Sequence, residues 1–475
     1  MILGDIPRRN AHRFGEAIAF ETQSTSLTWF AFNHRVNLLA HGLTGAGLVK
    51  SDRIAILSAP SIEVAEIYFA AAKLGLVIVP IHTGLVAAEI AYLLDLVDAK
   101  AILVEPDYIE NVDGILDEIT SMETRMVIGR HEGYGSYASL FKNGNTDEPE
   151  AEVSATDIYA IRFTSGTTGW PKGCPSTHQD WLWRSFTFMA HVAHSHGDRA
   201  LLFTPLSVGV GSSLLMSYSL IGAHLHIQRR FDVPEILRVI EEQRINTFFL
   251  PAPNLFARLL DDSHVGEADL SSIRIIGYGG SVFPVPLMRR ALDRFQCDFY
   301  GVYGHLEAGG FSTYLMPEDH YLDDWTGAER EMRLQRLHSC GREAMQADVR
   351  VVDEDGNFLL SGSSGEMIVR TEGMITQYWK NPEAIKDSLR NGWFHTGDVA
   401  SIDEDGYIFI SDRLKDVIKT GGMNVSSIEI ENVLMEHEDV EESAAVGIPD
   451  PHWGEAIVVY VVRRGGEDIG EDALI

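Results

Sequence analysis

Residues 163–174 read Phe-Thr-Ser-Gly-Thr-Thr-Gly-Trp-Pro-Lys-Gly-Cys, and no other stretch restricts the chain so closely. Thr164, Ser165, Thr167 and Thr168 offer four hydroxyls, and Gly166, Gly169 and Gly173 let backbone N–H groups come close to a ligand. Lys172 adds a positive charge at the end. Small, donor-rich residues closed by a lysine suit a nucleotide triphosphate. The apolar run at 158–163 predicts a strand, so the loop leaves a sheet edge, where α/β folds bind ligands. Two other phosphate loops are excluded. A Walker loop needs glycine where Pro171 stands and Ser or Thr where Gly173 stands. The dinucleotide fingerprint fails at Gly277-Tyr-Gly279 and at Gly209-Val-Gly211, because Val282 and Leu214 occupy the third glycine position.

At 475 residues the chain is too long for one core and predicts two to four domains. Hydrophobic content of 45% and charged content of 23% place it among ordinary soluble globular proteins. A net charge of −31 argues against nucleic acid or an anionic membrane as partner, since both want a basic surface. Anionic substrates must then be held by local cations against the global field. Cys174, Cys297 and Cys340 are far apart and form no Cys-x-x-Cys pair, which suggests neither zinc nor a disulfide framework and fits a reducing cytoplasm. The N-terminus lacks the apolar core of a signal peptide, and no uninterrupted apolar stretch reaches about 18 residues, so no membrane span is expected.

Residues 52–58 predict a buried strand, followed by a helix from Ser61 with Val64, Ile67, Ala71 and Ala72 on one face, then Gly75 and a strand at 76–81. That is a βαβ unit with a parallel sheet. Similar alternation recurs at 199–260, with strands at 200–204 and 224–227 and a helix at 233–242. After about 330 the texture becomes β: 349–356 and 401–410 each centre on Asp-Glu-Asp-Gly between apolar runs, which is hairpin chemistry. A calcium loop is the sharper alternative, but the ligand spacing and terminal glutamate are missing. From Arg413 a small α/β unit follows: Ser426-x-x-Glu429 opens a helix with Ile430, Val433 and Leu434 inward, then strands at 444–448 and 456–462. Residues 468–475 look like the start of another helix.

The loop at 163–174 resembles the phosphate loop of the adenylate-forming enzymes: acyl-CoA synthetases, adenylation domains of peptide synthetases and beetle luciferases. The resemblance continues through Tyr303-Gly-His-Leu-Glu307, Gly392-Trp-Phe-His-Thr-Gly-Asp398, Ser411-Asp-Arg-Leu-Lys-Asp416 and Lys419-Thr-Gly-Gly422, in the family's order and spacing. It implies an α/β fold: a core at 1–412, made of two α/β sheets to about 330 and a β-barrel at 331–412, with a small α+β lid at 413–475 that is expected to be incomplete. It implies an ATP- and Mg²⁺-dependent acid–thiol ligase acting on a small carboxylic acid and CoA through an acyl-adenylate. A homodimer is compatible with all of this.

By the same resemblance, residues 164–173 hold the β- and γ-phosphates with Lys172 as the point charge, and Glu307 is the magnesium ligand. Tyr303 stacks on adenine, Asp398 accepts both ribose hydroxyls, and Gly280 and Gly304 lie beside the nucleotide. Arg413 contacts ribose or phosphate, or forms a hinge salt bridge. Lys415 is the hinge, and Lys419 with Gly421 and Gly422 forms the loop that enters the site for thioester formation. Val208, Gly279 and Val302 line the acyl pocket, which points weakly to an apolar acyl group.

Three positions depart from the family pattern. Leu306 replaces a threonine beside the glutamate, Val208 replaces a histidine near the carboxylate, and Val302 replaces a glycine in the acyl pocket. The family's adenylation lysine would fall, by spacing from Arg413, beyond Ile475, and after Lys419 the only Lys or Arg residues are Arg463 and Arg464. These features leave two other readings: adenylation for a carrier-protein thiol, and a nucleotide-binding homologue without chemistry. The stretch Gly447-Ile-Pro-Asp-Pro-His-Trp-Gly-Glu455 favours CoA.

Overall fold

A helix buried on nearly every face joins two parallel strands of the first sheet. The computed structural model describes residues 1–164, 170–281, 283–322, 325–420, 423–435, 437, 439–450 and 453–463. In it, strands Arg53–Leu57 and Val77–Pro80 pair in parallel, with Ile54 opposite Ile78. Helix α1 (Ile62–Leu74) connects them, capped by Ser61, whose Oγ accepts the Val64 N–H at 3.2 Å. It ends at Gly75, in the left-handed conformation. The sequence predicts a single inward face, but every residue of α1 except Glu63 is buried. The reason is its position between two sheets. Tyr68 donates its hydroxyl to the Leu206 carbonyl at 2.8 Å on one side, and its own carbonyl accepts from the Tyr159 hydroxyl at 3.0 Å on the other.

The first sheet has seven strands. Near its end lies strand β1 (Ile158–Phe163), parallel to Val77–Pro80 and antiparallel to the edge strand β2 (Gly173–Thr177). Phe163 sits opposite Gly173, and the Thr164 N–H donates to the Lys172 carbonyl at 3.1 Å. The glycine-rich segment therefore connects an antiparallel pair at the sheet edge. Helix α2 (His178–Val192) follows, with Thr177 and Asp180 forming its capping box.

The second sheet has nine strands, and its centre is parallel as the alternation at 199–260 implies. Helix α3 (Gly209–Ile221) lies against it. Strands β3 (Ile275–Gly279) and β4 (Asp298–His305) continue the sheet in parallel, and β5 (Gly310–Leu315) returns antiparallel. One apolar core, with Tyr68, Tyr159, Trp181, Leu215 and Tyr300 among its members, fills the space between the sheets.

A five-stranded antiparallel sheet follows, containing β6 (Trp393–Ile402) and β7 (Ile408–Arg413). The expected turn is present between them, with Asp403 accepting the N–H groups of Asp405 and Tyr407. A four-stranded sheet and helix α4 (Ser427–Met435) form the last unit. Ser426 Oγ accepts the Glu429 N–H at 3.1 Å, as the capping pattern implies. Val433 corrects an expectation: it is 64% exposed, while Leu434 is 8% exposed. Consecutive helical residues point about 100° apart, and α4 turns Leu434 and not Val433 to the core. Residues 468–475, read as a helix start, lie outside the described residues.

Candidate active site

Three side chains from two sheets converge on one carboxylate. Gly397 adopts φ +73°, which glycine reaches without steric cost, within β6 immediately before Asp398 and a bulge at Val399–Ala400. Thr396 holds this stretch: its Oγ accepts the Asp398 N–H at 3.1 Å and donates to the Met367 carbonyl at 2.7 Å. Asp398 is buried and stands directly across the β6–β7 ladder from Arg413. Arg413 Nε lies 2.9 Å from Oδ1. Oδ2 accepts the Tyr303 hydroxyl, with His305 Nε2 at 3.6 Å. The predicted trio of Tyr303, Asp398 and Arg413 is thus assembled, and the salt bridge expected as one reading of Arg413 is present.

Burial, and then the Asp398 charge, push the Tyr303 phenol well above its ordinary pKa, so it remains a donor. Burial lowers that of His305 despite the nearby carboxylates Asp398 and Glu307, which keeps the imidazole neutral at neutral pH. Sequence reasoning passed over His305. It lies inside the quoted motif, but only the strand geometry shows it turned toward Asp398.

A second cluster stands beyond the end of β4. Glu307 Oε1 accepts the Tyr378 hydroxyl at 3.1 Å, and the Glu307 carbonyl accepts the Ile375 N–H at 2.9 Å. Lys172 Nζ lies 5.0 Å from the centroid of the Tyr378 ring, a cation–π distance. Tyr378 therefore joins the two predicted catalytic residues, although no motif or spacing in the sequence singles it out. The Trp379 N–H, donated to the Gly173 carbonyl at 2.8 Å, fastens this segment to β2. Leu306 packs against an apolar cluster of Cys174, Ile375, Tyr378 and Ile385. A threonine hydroxyl there would meet hydrocarbon, so the departure is matched by its surroundings. Burial, with Glu307 adding to it, raises the Cys174 thiol pKa well above the ordinary range, which makes that thiol unreactive.

On the expected acyl side, Gly279 stands opposite Val302. A Cβ on Gly279 would lie 2.5 Å from the Val302 carbonyl oxygen and 2.8 Å from its Cγ2, so the valine covers the glycine and fills the wall. Gly280 and Gly304 have their backbones against the carbonyls of Pro251 and Gly310. Val208 precedes α3 and supplies no side-chain cap. Lys415 and Lys419 are exposed on the C-terminal unit, the Lys419 N–H donating to Glu455 at 2.6 Å, and neither joins the Asp398 or Glu307 cluster. Ser165, Gly166, Thr167, Thr168 and Gly169, with Gly421 and Gly422, lie outside the described residues.

Two α/β sheets, a smaller antiparallel sheet and a C-terminal unit, with these motifs at their ends, define an adenylate-forming enzyme. Residues 7–379 match the AMP-binding enzyme family and residues 429–475 its C-terminal domain, and the chain belongs to that family. It is 31% identical to a feruloyl-CoA synthase of Amycolatopsis sp over 474 residues, covering 100% of this chain and 91% of the relative. It is 32% identical to a long-chain-fatty-acid–CoA ligase of Mycobacterium tuberculosis over 93% of this chain and 84% of the relative. The structure of an amide bond synthetase from Marinactinospora thermotolerans superposes with a TM-score of 0.87 at 28% identity, covering 99% of this chain and 91% of the other.

Proposed function

We propose that this chain is an ATP-dependent acyl-CoA synthetase. It joins a carboxylic acid to ATP as an acyl-adenylate with loss of pyrophosphate, then passes the acyl group to the CoA thiol with loss of AMP. The observation that carries this reading is the pair of clusters just described: Tyr303, Asp398 and Arg413 for the nucleoside, and Lys172, Tyr378 and Glu307 for the phosphates. Apart from Tyr378, their members lie in the motifs that resemble this family's, and the relatives named above carry acyl-CoA ligase names.

Asp398 offers two oxygens to the ribose hydroxyls, and Lys172 neutralises charge that grows on pyrophosphate as it leaves. Glu307 fits Mg²⁺. One of its oxygens is bound by Tyr378, leaving the other for a hard cation. Among the described residues no three His, Cys, Asp or Glu side chains gather, so substrate phosphates would complete the shell. The ion would draw negative charge from the phosphates. Residues 413–475 act as the lid, turning about Lys415 so that the strand bearing Lys419 faces the adenylate. Three free cysteines suit a reducing cytoplasm, and among the described residues no helix is long and apolar enough to cross a membrane.

The test is pyrophosphate exchange into ATP with ferulate, decanoate and indole-3-acetate, followed by addition of CoA or of a phosphopantetheinylated carrier protein. Acid-dependent exchange and a CoA thioester identified by mass are expected. Thioester on the carrier alone would replace CoA by a carrier thiol. ATP binding without exchange for any acid would leave a nucleotide-binding homologue.

A further inference from the structure

Two arginines beside this site carry no role in the scheme above. Arg162, on β1 just ahead of the glycine-rich segment, is 3% exposed. Its guanidinium carbon lies 4.4 Å from the centroid of the Trp181 ring, and that of Arg184 on α2 lies 6.0 Å from the same centroid. Arg184 donates one N–H to the Gly373 carbonyl at 3.3 Å. Among the described residues neither guanidinium is paired with a carboxylate, and Arg162 Nε and Nη2 and Arg184 Nε and Nη1 are buried without partners. The acid that acts on Arg184 is Asp180, which is committed to the Thr177 N–H at 2.7 Å. Cys174, buried between the elements, feels the charges of Glu307, Arg162, Arg184 and Lys172.

A buried cation without a counter-ion is costly, and a fold that keeps one is arranged for an anion. Burial, with the like charge of Arg184 added, pushes Arg162 down to about 9, so it is still a cation at neutral pH. Its Nη1 lies 3.7 Å from where a Cβ on Gly209 would stand. Gly209 opens α3, a helix of 13 residues whose N-terminus has no side-chain cap. The first-turn N–H groups of such a helix lack intrahelical acceptors and favour negative charge. Ser207, in the turn before it, also has a buried hydroxyl without a partner among the described residues. The Nε–Nη2 edge left free on Arg162 is the side by which a guanidinium grips a carboxylate with two parallel hydrogen bonds. Val208 offers no side-chain hydrogen bond at this helix end, and Arg162 brings its Nη1 there from the facing sheet.

We propose that Arg162, with the open N-terminus of α3, receives the carboxylate of the acid substrate before activation. This assignment rests on the ligase reading above. Phosphate is the other anion at hand, but in the scheme above Lys172 and Glu307 already serve it.

The experiment measures binding by calorimetry with Mg²⁺ and α,β-methylene-ATP, which blocks adenylation. Ferulate, decanoate and indole-3-acetate are compared with their primary amides on the unmodified chain and on Arg162→Met and Arg162→Lys. At least one acid should bind the unmodified chain in preference to its amide. Arg162→Met should weaken that acid by about 10–100-fold, the scale of losing a hydrogen bond to a charged group, and abolish the acid-over-amide preference. Arg162→Lys should fall between, and affinity for the nucleotide should change less than about 3-fold. The melting temperature of Arg162→Met should not fall, since the change removes an uncompensated buried charge. Equal acid binding by Arg162→Met, no acid binding to the unmodified chain, or a joint loss of nucleotide binding and melting temperature would each overturn the assignment. An acid that binds through Arg162 yet supports no pyrophosphate exchange with ATP would instead overturn the ligase reading and leave the carboxylate seat standing.

Discussion

Tyr378 shows how one side chain couples two charges of opposite sign. Its ring faces the Lys172 ammonium while its hydroxyl holds Glu307, so the lysine and the acid keep their separation before any phosphate arrives. Lys172→Ala should raise KM for ATP by about 10-fold or more, because a point charge on the phosphates is lost. Its melting temperature should stay close to that of the unmodified chain, since a partly solvated charge adds little stability. An unchanged KM would remove Lys172 from the phosphate site. Tyr378→Phe separates the two roles. It keeps the ring and frees Glu307, so the Mg²⁺ dependence should shift while KM for ATP at saturating Mg²⁺ stays near its original value. Asp398→Asn should weaken ATP far more than 2′,3′-dideoxy-ATP, since only ATP has ribose hydroxyls to donate. Similar losses for the two nucleotides in a competition assay would make Asp398 a partner of Arg413 and Tyr303 alone.

Elements differ in how plainly the sequence declares them. The buried parallel strands Arg53–Leu57 and Val77–Pro80 are legible because each is one apolar run, and α1 because Ser61 and Gly75 mark its ends. Strand β2 is not, since Pro175 and the polar Ser176 break any alternation and only its pairing with β1 makes it a strand. The charged site residues are legible where a backbone device announces them, as Gly397 does for Asp398. Tyr378, Arg162 and Arg184 are set by the meeting of distant segments, which leaves no local spacing to read. The link between core and lid is another such case. Asp412, buried at the end of β7, accepts the Ser427 N–H at 2.6 Å and its hydroxyl at 3.2 Å, so the N-terminus of α4 is held from across the predicted hinge. Asp412→Ala should cost about 1 kcal/mol locally, the scale of losing a cap. Hydrogen exchange should then rise in the first turn of α4 while β6 and β7 keep their protection, and unaltered exchange there would show that α4 is held by its other contacts.

Across the whole molecule, acid should act through histidines held neutral in the interior more than through the large negative surface. His178, His224, His226 and His320 are each under 8% exposed, and burial lowers them to about 4, 3, 4 and 4 from 6.5. An unfolded chain protonates these rings as pH falls through about 6.5, and the folded chain resists until about 4. The unfolded state therefore binds more protons in that window, and stability rises with pH across it and is lost as pH falls. At about pH 5 each ring costs up to about 2 kcal/mol, so four together are comparable with a domain's whole stability. Burial raises Glu21 and Glu66, which works in the opposite direction, because there the folded chain takes the proton first. Those carboxylates begin from 4.5 and offset the histidines only toward the acid end, so between about pH 6.5 and 5 the histidines decide the sign. His178 isolates the effect. Its Nδ1 accepts the Leu3 N–H at 3.3 Å, and protonation would remove that acceptor and release the start of the chain. In His178→Asn the amide oxygen can still accept from Leu3 but has no proton to gain. The variant should lose a little stability at pH 7.5 through poorer packing, and its melting temperature should fall less steeply than the unmodified chain's between pH 6.5 and 5. Parallel slopes for the two proteins would mean that His178 takes up its proton equally in both states and does not contribute to acid unfolding.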